Sequence, residues 1–167
     1  MIRSALPALA LLAALLASPA FAFSFDDWVK VEDPPGVITF DCTDGPKCGL
    51  GSRVTIAGAQ DGPMMSVEEY QALHERIAKA KSEEIGAPLT IGQAKLRSVR
   101  GFDVVEIERK ATLGPGALGT HHFVNAMLHR AGKRHQIICS ANDKEMARAN
   151  FEGMLNGAID HLTRGGR

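Results

Sequence analysis

"HHFVNAMLHRAGKRHQIICSAN", residues 121–142, alternates apolar and polar side chains on both sides of Ala131-Gly132. A period of two marks half-buried strands, and a two-residue connection with Gly in second place marks a tight hairpin. In that register His129 pairs with Arg134 and Leu128 with His135. His121, Phe123, Asn125, Met127 and His129 then share one face. His122, Val124, Ala126 and Leu128 share the other with His135, and Ile137 and Cys139 lie on one face of the second strand with Ile138 on the opposite face.

The neighbouring segments extend this pattern. Asn142 is expected to open a last helix, with Glu145 three residues on completing a capping box. Ala147, Phe151, Met154, Leu155, Ala158 and Leu162 form its apolar stripe. Upstream, "LTIGQAKLRSV" and "FDVVEIERKA" read as two strands joined at Arg100-Gly101, and "LGPGALG" (113–119) as a loop. Ser66 with Glu69 gives another capping box, opening a helix that runs to about residue 85 and stops at Gly86 and Pro88. Its expected buried stripe is Val67, Tyr70, Leu73, Ile77, Ala80 and Ile85. Two further strands, near 37–42 and 50–57, precede it. The element order is ββαββββα: an antiparallel sheet of about six strands flanked by two amphipathic helices, an α+β fold.

That order, the chain's size and the "GKRHQIICSAN" strand (132–142) running straight into an amphipathic helix resemble the PsbP/Mog1/DcrB-type fold group, in its secreted bacterial members. The resemblance spans most of residues 36–163. It implies a non-enzymatic accessory or adaptor protein that binds other proteins, and it transfers no catalytic residue.

Residues 1–22, MIRSALPALALLAALLASPAFA, have the layout of a cleaved signal peptide: Arg3, an apolar run from Ala5 to Ala17, then Ala20-Phe21-Ala22. The run falls short of the roughly 20 residues a spanning helix needs. The expected mature domain is 23–163 with a frayed tail at 164–167, and the expected location is the periplasm. Without Arg3 the 19 basic side chains become 18 against 19 acidic ones, so the charge favours neither nucleic acid nor anionic lipid as a partner. No membrane span is expected after removal of the leader.

Cys42 and Cys48 enclose Thr43-Asp44-Gly45-Pro46-Lys47, a turn-forming cluster between two strands. In an oxidising compartment neighbouring thiols pair, so a disulfide across the bend is expected. The spacing is wrong for a C-x-x-C redox site or a zinc knuckle, and "GPKCGLGS" lacks the phosphate-loop order. Cys139 is then a buried free thiol. Its catalytic alternative, a nucleophile served by His122 or His135, needs an accessible thiolate.

Other chemistry is sparse. His121 and His129 stand about 27 Å apart along a strand and cannot share a metal. Met64, Met65 and a histidine have the chemistry of a copper site, which makes a small-ligand or metal carrier the alternative function. Glu106 and Glu108 share a strand face, expected to be solvated, with Val105 and Ile107 buried behind. Serine-hydrolase, zinc-protease and dinucleotide signatures are absent, and no catalytic residue, cofactor or metal is expected. The candidate binding surfaces are two loops, Asp61-Gly62-Pro63-Met64-Met65 and Gly114-Pro115-Gly116. The expected function is binding a protein partner in the cell envelope, either a resident complex or a toxin to be neutralised. A thiol-dependent hydrolase is the remaining alternative.

Overall fold

In the computed structural model of the chain, residues 24–31, 35–112 and 119–164 are described. The leader at 1–22, the Gly114–Gly116 loop and tail residues 165–167 lie outside the described residues. A 3-10 turn at Phe25–Asp27 leads into strands β1 (Trp28–Val31), β2 (Val37–Cys42) and β3 (Arg53–Asp61). Strands β4 (Leu89–Ile91), β5 (Lys95–Val99), β6 (Phe102–Thr112), β7 (Thr120–Arg130) and β8 (Lys133–Ala141) follow. The helices are α1 (Gly45–Cys48), α2 (Val67–Ile85) and α3 (Lys144–Arg164).

The strands form one antiparallel sheet in the order β1-β2-β3-β8-β7-β6-β4, with β5 also paired to β6. The α+β class holds, with eight strands in place of six. The four residues of β1 were too few to register as a strand. "LTIGQAKLRSV" divides because Gly92-Gln93-Ala94 interrupts it, so β4 and β5 dock separately along β6. The second described edge, β1, is equally short. A third helix, the single turn α1, sits inside the cysteine loop.

Hairpin β7–β8 has the register its alternation requires, His129 opposite Arg134 and Leu128 opposite His135. Both tight turns place two successive residues at positive φ: Arg100 (51°) and Gly101 (82°), then Ala131 (51°) and Gly132 (76°). This primed geometry matches strand twist, and glycine takes the second position without a Cβ penalty.

Alternate residues of a strand point to opposite faces, and the two helices cover one face each. Under α3 lies the larger core: Val54, Val104, Val124, Ala126, Leu128, Ile137 and Cys139 meet Phe151, Met154, Leu155 and Ile159. Under α2 the core is thin, with Tyr70, Val105 and Ile107 fully buried and Met64, Met65, Val67, Ile91 and Met127 packed around them. The Ser66–Glu69 capping box forms, and α2 ends on Gly86 in the left-handed conformation. Its inward stripe differs from the expected one. His74 and Ala78 are buried beside Tyr70, while Ala80 and Ile85 are exposed.

Three further boundaries move. β3 continues to Asp61, so that residue leaves the expected loop and pairs with Lys133 of β8. The cap of α3 is Asp143, whose Oδ1 accepts from the Met146 amide at 2.8 Å; Asn142 instead donates to the Leu50 carbonyl. Arg164, expected in the tail, belongs to α3.

Cys42 and Cys48 are joined, with Cα atoms 5.8 Å apart. The loop they close is tied down from both sides. Asn150 of α3 donates to the Cys48 carbonyl at 2.8 Å, and Lys47 reaches the Asp27 carboxylate at 2.9 Å.

Candidate functional site

Two concavities flank the sheet, one under each long helix. The first lies between α2 and strands β6, β7 and β8 and has a volume of about 480 Å³. His74, Ile77, Lys81 and Ile85 of α2 form one wall, while Arg109, Phe123, Asn125 and Ile138 supply the sheet side. Arg109 and Asn125 stand at inward positions of β6 and β7, where alternation would ordinarily place apolar residues. Tyr70 and His74 are one helical turn apart and meet edge to face, with ring centroids 4.5 Å apart.

This polar group is incompletely paired. The Arg109 Nη2 donates to Asn125 Oδ1 at 2.8 Å, and its guanidinium lies 5.4 Å from the Phe123 ring centre. No carboxylate forms an ion pair with Arg109 among the described residues. Five buried atoms here make no hydrogen bond within the protein: Tyr70 Oη, both ring nitrogens of His74, Arg109 Nε and Asn125 Nδ2. His74 is 1% exposed and Asn125 0%. Burial, followed by the neighbouring Arg109 charge, pulls the His74 imidazole down to about 4, so it is neutral at pH 7. Burial pushes the Tyr70 phenol up and pulls the Arg109 guanidinium down. Buried polar groups in native proteins are nearly always satisfied by protein, water or ligand. Four of the five, on His74, Arg109 and Asn125, belong to residues that line the cavity, which makes it the candidate site for a polar group.

The second concavity is an apolar groove of about 790 Å³ beneath the C-terminal half of α3, lined chiefly by Phe25, Ile38, Phe40, Ile56, Ala158 and Leu162. Phe25 and Ile38 are 49% and 39% exposed there. Gly157 lets the Phe25 ring approach, because a Cβ at that position would stand 2.6 Å from it.

The residues singled out from sequence distribute as follows. Cys139 is a free thiol, 0% exposed, paired across the sheet with Val54 and Val124. Burial raises its pKa, the reverse of what a nucleophile needs. Met64 and Met65 are half-buried against the Tyr70 cluster. Pro63 joins them in lining a shallow cleft with Arg76 and Arg134, while Gly62 packs on the Arg134 guanidinium. Among the described residues no group of three or more His, Cys, Asp or Glu side chains is placed to hold a metal ion.

Glu106 and Glu108 do share a face, but it is not a solvated one. Glu106 is only 7% exposed and accepts from Arg97 Nε at 3.1 Å and Arg148 Nη1 at 2.8 Å. Arg148 also donates to Glu108 at 2.6 Å, and that hydrogen bond holds the Glu108 carboxyl below its usual range. These carboxylates belong to a structural ion network linking α3 to the sheet. His74, Arg109 and Asn125 were not singled out from sequence. The available signal was polar residues at positions that a two- or 3.6-residue period assigns to the interior.

The chain is thus an α+β protein, a single antiparallel sheet with one long helix on each face. No protein-family model matches its sequence, and no curated protein does. Its structure is similar to the solution structure of cyanobacterial PsbP (CyanoP) from Synechocystis sp. PCC 6803. The identity is 13%, over 83% of this chain and 80% of that one, with a TM-score of 0.49. Among the described residues no helix is long and apolar enough to cross a membrane.

Proposed function

We propose that this chain is a non-enzymatic binding protein of the cell envelope that holds a small molecule between α2 and the sheet. The carrying observation is the cavity lined by His74, Arg109 and Asn125, which together hold four unpaired buried polar atoms. Small-molecule sites combine apolar walls with a few convergent polar groups in a volume of roughly 300–1,000 Å³. This cavity has all three features. The disulfide fits an oxidising compartment such as the periplasm, reached by cleavage of residues 1–22. Native mass spectrometry of protein purified from its own envelope, followed by denaturation and analysis of the released small molecules, tests the reading. A stoichiometric adduct lost on substituting Asn125→Leu supports it. An adduct that Asn125→Leu leaves in place refutes it.

A second reading is contact with a protein partner, an envelope complex or a toxin. The apolar groove under α3 favours it, because partly exposed Phe25 and Ile38 offer an anchor pocket to an apolar side chain of a partner. A photocrosslinking side chain at position 38 should capture one envelope protein, and the same group at Lys79 on the opposite helix should not. Equal labelling from both positions removes this reading.

A further inference from the structure

We infer that the ligand of the α2 cavity is a small monocarboxylate with an apolar body, its carboxylate taken by Arg109 and Asn125. This rests on the small-molecule reading above and adds the chemical class.

Charge is the first argument. Arg109 is the cation set into the wall without a carboxylate partner, and none of the residues lining the cavity is Asp or Glu. Lys81, also at the wall, is already paired with Glu84 at 2.5 Å. His74 is neutral at pH 7 and adds no charge. A desolvated guanidinium without a counter-ion is costly, and a single negative charge would restore neutrality. One uncompensated cation matches a monoanion better than a phosphate dianion.

Donor geometry is the second. Asn125 turns its Oδ1 to Arg109, leaving Nδ2 as a free donor beside the free Arg109 Nε. These are two N–H groups from adjacent strands, and a carboxylate has two oxygens able to accept both. Neutral His74 supplies one further donor and one acceptor at the helix wall. The remaining lining decides the body of the ligand. His121 and Gln136 add polar groups on the sheet side, while Ile77, Ile85, Leu89, Ala111, Phe123 and Ile138 present hydrocarbon, which rewards an apolar chain or ring.

Calorimetric titration at pH 7.5 with octanoate, 1-octanol and acetate separates these contributions. Octanoate should bind at one site, with 1-octanol and acetate each at least tenfold weaker. Arg109→Met, which keeps the length and packing of the side chain, should weaken octanoate at least tenfold and leave 1-octanol unchanged; Arg109→Lys should recover part of the loss. Circular dichroism and thermal melting verify that both variants are folded. In the amide spectrum of the parent protein, the Asn125 Nδ2 protons should shift with octanoate. Equal affinity for octanoate and 1-octanol overturns the carboxylate assignment while leaving a small-molecule site in place. Octanoate binding that Arg109→Met does not weaken shows that Arg109 does not take the carboxylate and overturns the assignment. Binding of none of the three probes overturns the carboxylate class, and the small-molecule reading then stands or falls with the native mass spectrometry described above.

Discussion

Substituting His74→Leu should remove a pH-dependent loss of stability, and its size follows from the environment of the imidazole. In the folded chain His74 lies between Tyr70 and the sheet near the Arg109 charge, and its pKa is lowered to about 4 from an ordinary 6.5. Above pH 6.5 both folded and unfolded chains carry a neutral ring, so the group costs nothing. As the pH falls from 6.5 toward 4, the unfolded chain takes up a proton that the folded chain refuses, and stability drops. At pH 5 the difference amounts to about 2 kcal/mol, and below pH 4 it saturates at about 3.4 kcal/mol. Asp41, Glu108, Asp160 and His135 also have lowered pKa values, and they are common to both proteins. Urea unfolding at pH 7 and pH 5 should therefore show the parent chain losing about 2 kcal/mol more than His74→Leu across that interval. Equal losses in the two proteins would refute the claim that His74 is buried and neutral.

Four further outcomes are expected. Mass spectrometry under denaturing, non-reducing conditions should find one free thiol, at Cys139. Replacing both Cys42 and Cys48 by serine should cost about 2.3 kcal/mol in urea unfolding, the entropy of closing a seven-residue loop. Native protein should resist alkylation at Cys139, with labelling no faster than unfolding, since the thiol is buried and its pKa raised; rapid labelling would reopen the thiol-enzyme reading. Arg148→Met should destabilise by about 2–3 kcal/mol, because it strips Glu106 of one of its two cationic partners inside the protein. A loss below about 0.5 kcal/mol would reduce that network to the value of a surface pair.

Local rules made the centre of the fold legible. Alternation over residues 121–141 and the Ala131-Gly132 pair specify both faces and the register of β7–β8, and turn chemistry around Cys42 and Cys48 specifies the covalent link. What escaped depends on partners far along the chain. Glu106 looks like a surface residue until Arg148, 42 positions later, arrives on α3. Hydrophobic periodicity picks Leu73, Ala80 and Ile85 for the inward stripe of α2, because it gives no weight to a histidine. The helix instead turns His74 inward, opposite Arg109 and Asn125, and the cavity becomes visible only when α2, β6 and β7 are brought together. The Asp61–Met65 loop reads from sequence as one with exposed small and apolar residues, yet its methionines serve as packing for Tyr70.

The broken rail formed by β4 and β5 bears on self-association. Polymers of sheet proteins grow when an open border offers a neighbouring molecule a long, even row of backbone donors and acceptors. Here Gly92 turns its amide inward to the Glu108 carbonyl and splits that row into pieces of three and five residues. The opposite border ends after four residues, with Lys30 among them. The sheet thus gives a second copy very little on which to start a fibre.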